Sequence, residues 1–235
     1  MARLIPRGPE VVAPGAVHLP GWLDIEGQRR MVAACRAWAK AAGGFRPPRM
    51  PNGSVMSVQM TCLGWHWFPY RYSRTLDDGD GGAVAPFPGW LGELGAKAVH
   101  DAREIDPRVT ATATGPGDAI GPGAYVPDVA LVNWYGPGAR MGMHADRDER
   151  SPAPVVSVSV GDSCVFRFGN PGGRGRPWTD VHLESGDLFV FGGPSRLAYH
   201  GVPTVLPGTA EVAIGMDGGR INVTIRETGL GGPGG

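Results

Sequence analysis

Residues 129–146 read VALVNWYGPGARMGMHAD, and that stretch decides the fold. Val129–Tyr135 is a β-branched and aromatic run of strand length, Gly136-Pro137-Gly138 breaks it, and Arg140–Ala145 resumes an extended pattern. Strand, turn, strand is the pattern of an antiparallel sheet, and it continues towards the C-terminus. Val155–Val160 alternates valine with serine, Ser163–Phe168 follows, and a loop carrying Arg174 and Arg176 intervenes. Further strands are expected at Asp187–Phe191, Leu197–Val202, Glu211–Ile214 and Arg220–Arg226. About eight short strands in one half of a chain is the count of a jelly roll. The expected fold is mainly β with some α: a double-stranded β-helix (jelly roll) with an N-terminal helical and lid extension.

Towards the N-terminus the text changes. Residues 1–20 are punctuated by proline and glycine and are expected to lie extended over the surface. Asp24 suits the N-cap of a helix running to about Ala42 and stopped by Gly43-Gly44, with Met31, Cys35 and Trp38 as its buried face. Between Phe45 and Phe87 aromatic residues crowd together and the acidic, glycine-rich loop Asp77–Gly82 closes the segment. A second helix fits Gly89 to Arg103, with Leu91, Leu94 and Ala98 inward. The expected organisation is one domain over 1–235: an N-terminal segment and helix (1–44), a lid (45–88), a jelly-roll core (89–228) and a disordered tail (229–235).

Composition agrees with a turn-rich β domain. The 39 glycines and 23 prolines serve tight turns, and 42% hydrophobic residues over 235 supply one substantial core. Lys+Arg and Asp+Glu both number 22, so no global positive field announces a nucleic-acid partner; any such binding must come from a local patch. Cys35, Cys62 and Cys164 are an odd set without CxxC spacing, which suits a reducing compartment. No apolar run reaches the roughly 18 residues of a membrane span, and Arg3 and Arg7 precede no apolar signal segment. The expectation is a cytoplasmic monomer with no membrane contact.

The sharpest chemical feature is His144-Ala145-Asp146. On a strand, residues i and i+2 share a face, so an imidazole and a carboxylate converge on one point. A third ligand is needed, and His200 in Tyr199-His200-Gly201 is the natural candidate; two histidines and a carboxylate leave three sites open on a non-haem Fe(II). By itself, an HxD tripeptide also arises by chance. The last strand adds Arg220, Asn222 and Arg226 at even offsets. Turned inward, those arginines need an anion, and a dicarboxylate matches their forks; at a sheet edge they would simply be solvated. Asn133 and Tyr135 share a face and can add neutral hydrogen bonds to the same carboxylate.

Taken in order, Asn133–Ala139 (NWYGPGA), His144–Glu149 (HADRDE), Pro154–Ser159 (PVVSVS), Ser195–Gly201 (SRLAYHG) and Arg220–Arg226 (RINVTIR) resemble the AlkB family of DNA-repair dioxygenases, in its bacterial branch. The blocks cover residues 127–226, with a weaker likeness over Met56–Tyr72. The resemblance implies Fe(II) on His144, Asp146 and His200, and 2-oxoglutarate on Arg220, Asn222 and Arg226 with Asn133 and Tyr135. O2 would be the oxidant. It implies that 45–88 is a nucleotide-recognition lid in which Trp65, Tyr70 and Tyr72 engage a flipped base, and that Asp148 contacts the exocyclic amine of that base. The implied reaction is oxidative dealkylation of N1-methyladenine and N3-methylcytosine in alkylated DNA, and in RNA as well, releasing formaldehyde, succinate and CO2.

Two features depart from the enterobacterial members. The lid is slightly shorter between Trp65 and Tyr70, and Asp180 stands where that pattern has an arginine facing DNA; Arg174 and Arg176 are near enough to replace it. An aromatic cluster at this spacing is also the signature of an ordinary mini-core, which Trp67 and Phe68 fit equally well. Two other functions compete. An oxygenase acting on a small molecule, modified RNA or protein would need neither the aromatic lid nor Asp148. A non-enzymatic β-barrel binding module leaves the coincidence of His144, Asp146, His200, Arg220 and Arg226 without a cause.

Overall fold

The computed structural model describes residues 7–76, 81–110 and 125–231. In chain order its strands are β1 (Glu10–Ala13), β2 (Ala16–Leu19), β3 (Gln59–Leu63), β4 (His66–Phe68), β5 (Arg71–Ser73), β6 (Val129–Tyr135) and β7 (Met141–His144). They continue as β8 (Val155–Gly161), β9 (Ser163–Phe168), β10 (Thr179–Leu183), β11 (Leu188–Phe191), β12 (His200–Leu206) and β13 (Arg220–Arg226). The helices are α1 (Ile25–Ala41) and α2 (Gly89–Ile105). Seven strands form one sheet in the order β1-β2-β11-β8-β13-β6-β3, four form another, β10-β9-β12-β7, and β4-β5 is a separate ribbon. This is the mainly-β, jelly-roll arrangement that the strand count predicts. Among the described residues, no helix is long and apolar enough to cross a membrane.

Side-chain alternation sorts the larger sheet into two faces. Ile221, Val223 and Ile225 of β13 and Val156, Val158 and Val160 of β8 pack in one core with Met31, Val32 and Cys35 of α1 and Leu91, Ala98 and Val99 of α2. The opposite parity faces the smaller sheet. There Tyr135, Val155, Phe189 and Phe191 meet Phe166, Phe168 and Val202 in a second core. α1 begins where expected: the Asp24 carboxylate accepts from the Gly27 N–H at 2.7 Å, satisfying one orphan donor of the first turn.

Several expectations are corrected. Residues 10–19 do not drape over the surface. They form the β1–β2 hairpin, and β2, buried throughout, pairs with β11. The anchor is Asp187, whose buried carboxylate takes bonds from Arg7, His18 and the Gly21 N–H. Burial would raise that carboxyl, but its hydrogen bonds outweigh burial and hold it below the usual carboxylate range. Glu211–Ile214 is no strand: Val212–Ile214 is one 3-10 turn, and Val212 is 90% exposed. The loop with Arg174 and Arg176 ends sooner than expected, in β10, whose Val181 and Leu183 point inward and whose Asp180 and His182 point out. Leu197 precedes its strand, which starts at His200.

Within the segment 45–88, β3 pairs with β6 at the edge of the larger sheet. Part of the expected tail is fixed: Leu230 N–H bonds to the Thr228 hydroxyl and Arg74 reaches the Gly231 carbonyl. Residues 232–235 of that tail, 77–80 of the acidic loop and 1–6 of the N-terminal segment lie outside the described residues.

Candidate active site

Between the two sheets lies a cavity of about 440 Å³. His144 and His200 face each other across the β7–β12 pair, their rings 4.4 Å apart. Asp146 follows two residues after His144. His144 Nε2 is 3.7 Å from Asp146 Oδ1, and His200 Nε2 is 3.6 Å from Asp146 Oδ2. One ligand atom from each of the three lies within 4.8 Å of the others. Each histidine directs Nδ1 at a carbonyl two residues earlier, Gly142 and Ala198, at 3.0 Å. A carbonyl can only accept, so Nδ1 carries the proton and Nε2 presents its lone pair inward. That is how outer partners orient metal-binding histidines.

The protonation states suit a metal. Burial and the neighbouring His144 push the His200 imidazole down to about 4, keeping it neutral. Burial would raise the Asp146 carboxyl, but Arg226 and the two histidines more than reverse that and hold it far below its ordinary value. A neutral imidazole and an ionised carboxylate are the forms that coordinate.

β13 lies in the middle of the larger sheet, paired with β6 and β8, so the solvated-edge alternative is excluded. Its arginines face inward but are not equivalent. Arg226 is already paired: its guanidinium bonds Asp146 Oδ1 at 2.9 Å and Glu149 Oε1 at 2.8 Å. Arg220 is 1% exposed and has one bond, Nη2 to Ser159 Oγ at 2.8 Å; its Nε and Nη1 are buried without a partner. Asn133 Oδ1 is orphaned too. A buried cation with spare donors is costly unless an anion comes to it. Tyr135, whose phenol burial pushes up and keeps neutral, lines the same cavity. Asn222 is tied down, donating to Ser157 Oγ at 2.7 Å and accepting from Thr224. The donor set fits a divalent metal at His144, Asp146 and His200, and the spare donors of Arg220 fit a carboxylate.

The aromatic positions need re-sorting. Trp65 turns away from the cavity; its indole N–H donates to Asp128 at 3.0 Å and the Arg74 guanidinium lies 3.4 Å from its ring centre. Trp67 lines the cavity and donates to Asp148 Oδ2 at 2.7 Å. Burial raises the Asp148 carboxyl, partly offset by that hydrogen bond. Tyr70 also lines the cavity, 67% exposed and with φ of +71°. Tyr72 does not: its hydroxyl donates to Glu149.

Sequence reasoning therefore missed Trp67, left undecided, and it missed Glu149 and Arg196. Glu149 is buried and bonded by Arg196, Arg226 and Tyr72, while Arg196 also holds the carbonyls of Ala153 and Asp146. The available signal was a second carboxylate directly after Asp148, too polar to be buried without partners.

Comparison with known proteins follows this geometry. Residues 15–226 match the 2OG-Fe(II) oxygenase superfamily. An alpha-ketoglutarate-dependent dioxygenase AlkB homolog of Caulobacter vibrioides is 40% identical over 225 residues, covering 93% of this chain and 90% of its own length. The chain belongs to the AlkB family. AlkB-family members use Fe(II), 2-oxoglutarate and O2, and the His144, Asp146 and His200 cluster with Arg220 behind it has the donors for the first two. The DNA N(6)-methyladenine demethylase ALKBH1C of Arabidopsis thaliana is 34% identical over 228 residues; the match covers 92% of this chain and 49% of the plant protein, so the chain spans about half of that relative. The solved structure of OsALKBH1 superposes with a TM-score of 0.80 at 32% identity, covering 93% of this chain and 99% of that one.

Proposed function

We propose that this AlkB-family chain removes small alkyl groups from ring or exocyclic nitrogens of nucleobases in DNA and RNA. The observation that carries the proposal is one cavity with three walls: the His144, Asp146 and His200 cluster, the underused Arg220, and Trp67 hydrogen-bonded to Asp148. A metabolite oxygenase needs the first two and has no use for the third.

Roles follow from position. His144 Nε2, His200 Nε2 and Asp146 would hold Fe(II), with Arg226 fixing the Asp146 carboxylate. Arg220, with the Tyr135 hydroxyl and the Asn133 side-chain amide N–H lining the same cavity, would hold 2-oxoglutarate. With the metal and co-substrate bound, the site would let O2 oxidise both 2-oxoglutarate, to succinate and CO2, and the N-methyl carbon, to a hydroxymethyl group that leaves as formaldehyde. Trp67 and Tyr70 offer aromatic surface to a base, which must be flipped out or already single-stranded to reach the cavity. Asp148, beside that surface, favours a base that carries positive charge, such as N1-methyladenine or N3-methylcytosine. The three buried, free cysteines support action in a reducing cytoplasm, and we take the working form to be a monomer.

A second reading is favoured by the Arabidopsis relative: the same cavity acting on neutral N6-methyladenine. Formaldehyde release from oligonucleotides carrying N1-methyladenine, N3-methylcytosine or N6-methyladenine separates the two. The cationic lesions should react faster, and Asp148→Asn should lose more on them than on N6-methyladenine. Faster turnover of N6-methyladenine, with equal losses in Asp148→Asn, would favour the second reading. No release from any nucleic acid, with oxoglutarate still decarboxylated, would return the substrate to the small-molecule or protein class.

A further inference from the structure

β7 ends at His144, so no strand ladder reaches Asp146, the carboxylate of the three-residue cluster. What holds Asp146 is a ring of buried side chains. Its Oδ1 accepts from Arg226 Nη2 at 2.9 Å. Arg226 Nη1 donates to Glu149 Oε1 at 2.8 Å, and Glu149 Oε2 accepts from Arg196 Nη2 at 3.0 Å. Arg196 Nη1 then returns to the Asp146 backbone carbonyl at 2.9 Å and closes the ring. Its Nε donates to the Ala153 carbonyl at 2.7 Å, which anchors that corner to the backbone. The Glu149 side chain has no exposed surface, and both arginines are buried beside it.

The ring leaves a telling set of unused atoms. Asp146 Oδ2 is buried without a hydrogen-bond partner, 3.6 Å from His200 Nε2. Arg226 Nε is also buried without a partner. A guanidinium facing a single carboxylate tends to direct two N–H groups at its two oxygens. Here the fork is divided, because Asp146 takes one Nη and Glu149 takes the other. With Nη1 released, Arg226 would have two edges, Nη1 with Nη2 or Nη2 with Nε, to lay against both oxygens of Asp146. A carboxylate clamped in that way offers no open oxygen to a cation. Only another ionised carboxylate competes with Asp146 for the guanidinium on equal terms, since a neutral acceptor makes the weaker bond.

We infer that Glu149 is a positioning residue of the metal centre: by holding one end of the Arg226 fork, it stops Arg226 from closing on both oxygens of Asp146 and keeps Oδ2 open for the metal. Arg196, tied to Glu149 and to two backbone carbonyls, sets where Glu149 stands. The inference rests on the proposed metal site at His144, Asp146 and His200 and on no particular substrate.

The test titrates Mn(II) into the full chain by anaerobic calorimetry, with the thermal midpoint recorded alongside. Glu149→Gln should weaken Mn(II) binding on the order of 10–100-fold, the scale of an outer partner of a metal ligand. Adding Arg226→Lys keeps the charge but removes the fork, and it should recover most of the loss. That recovery reports the fork and not the sum of charges. A crystal structure of metal-free Glu149→Gln should show Arg226 bonded to both Asp146 oxygens. Should Glu149→Gln fail to fold, Glu149→Asp keeps the buried charge at a shorter reach. It should show the same loss and the same recovery on a smaller scale. Parent-like Mn(II) affinity in the Glu149 variant would overturn the inference. A loss that Arg226→Lys deepens or leaves unchanged would overturn it too, since Glu149 would then serve the fold or the charge balance. A parent whose Mn(II) affinity is untouched by His200→Ala would remove the metal site itself, and the role of Glu149 with it.

Discussion

β13 and the β4–β5 ribbon hold the two halves of the site, and they are fixed in opposite ways. Every residue of β13 has a partner on β6, from Arg220↔Tyr135 to Arg226↔Val129, and all but the last has one on β8. A slip of one residue would push Arg220, Asn222 and Arg226 under the helices and bring Ile221, Val223 and Ile225 into the cavity. Two ladders and a core forbid it. The ribbon has two three-residue strands that pair only with each other. Its position depends on side chains: Trp67 on Asp148 and Tyr72 on Glu149. The central strand holds its side chains in one geometry, while the ribbon is placed by the groups it touches. Two-stranded ribbons are marginal by themselves.

The comparison can be broken most decisively on the rigid side. His200→Ala should abolish turnover and reduce Mn(II) affinity by more than the roughly 10–100-fold cost of losing an outer-shell partner. Isothermal titration with Mn(II) measures this, and the thermal midpoint should stay near the parent's. If metal binding survives in His200→Ala, the three-residue cluster is not the metal site.

Arg220→Met comes next, and its signature has two parts. Oxoglutarate loses charge-assisted bonds worth roughly 1.5–3 kcal/mol, on the order of ten- to hundredfold in affinity. The ligand-free protein should not be destabilised, because the variant removes a buried cation whose Nε and Nη1 have no partner. Thermal melts with and without oxoglutarate show both effects. A lower midpoint without ligand would mean that Arg220 serves the fold before it serves the co-substrate.

The same contrast explains what the sequence could show. β6, β9 and β13 were readable to the residue as β-branched and aromatic runs bounded by turn residues, and in β13 the alternation of polar with apolar residues also assigns the faces. The trio of His144, Asp146 and His200 was readable from the i, i+2 spacing, although β7 ends at His144 and Asp146 lies just beyond it, with His200 opposite on β12. The ribbon was not readable that way. Trp65 and Trp67 have the same parity, so alternation cannot choose between them. The chain's turn at Gly64 chooses: its φ is +78°, and an added Cβ would sit 2.0 Å from the Asp128 carbonyl. That approach brings Trp65 to the Asp128 carboxylate and leaves Trp67 for the cavity. The β1–β2 hairpin was hidden for another reason. What fixes it is Asp187, far away in sequence, and local text holds no trace of such a tie.

The two tryptophans give the third test. Trp67→Ala should raise the KM for a methylated oligonucleotide by on the order of tenfold, within the roughly 1–3 kcal/mol of one stacked base, and leave oxoglutarate affinity unchanged. Trp65→Ala should act on the fold instead, lowering the thermal midpoint and costing less stability than the roughly 3–5 kcal/mol of truncating a fully buried aromatic. KM would change little. The reverse pattern, with Trp65→Ala raising KM and Trp67→Ala lowering the midpoint, would restore the assignment that the sequence suggested and move the ribbon by two residues.

The smallest effect belongs to Tyr72, whose hydroxyl joins the ribbon to the central strand by accepting from Arg226 Nη1 at 3.4 Å. Its ring packs with Met60, Cys62, Val129 and Leu131, and its hydroxyl donates to Glu149, which Arg226 and Arg196 also bond. Burial keeps its phenol well above the ordinary range, so it remains a neutral donor at any working pH. Tyr72→Phe keeps the packing and removes the tie. Glu149 stays held by two guanidiniums, so the Arg226 bond to Asp146 should survive and Mn(II) and oxoglutarate affinities should match the parent's. What loosens is the ribbon: oligonucleotide KM should rise by a factor of a few, consistent with the roughly 0.5–1.5 kcal/mol of a typical hydrogen bond. Hydrogen exchange over residues 66–73 should quicken while β13 stays protected. A parallel fall in oxoglutarate affinity would show that Tyr72 works through Arg226, and the ribbon and the central strand would then be one device.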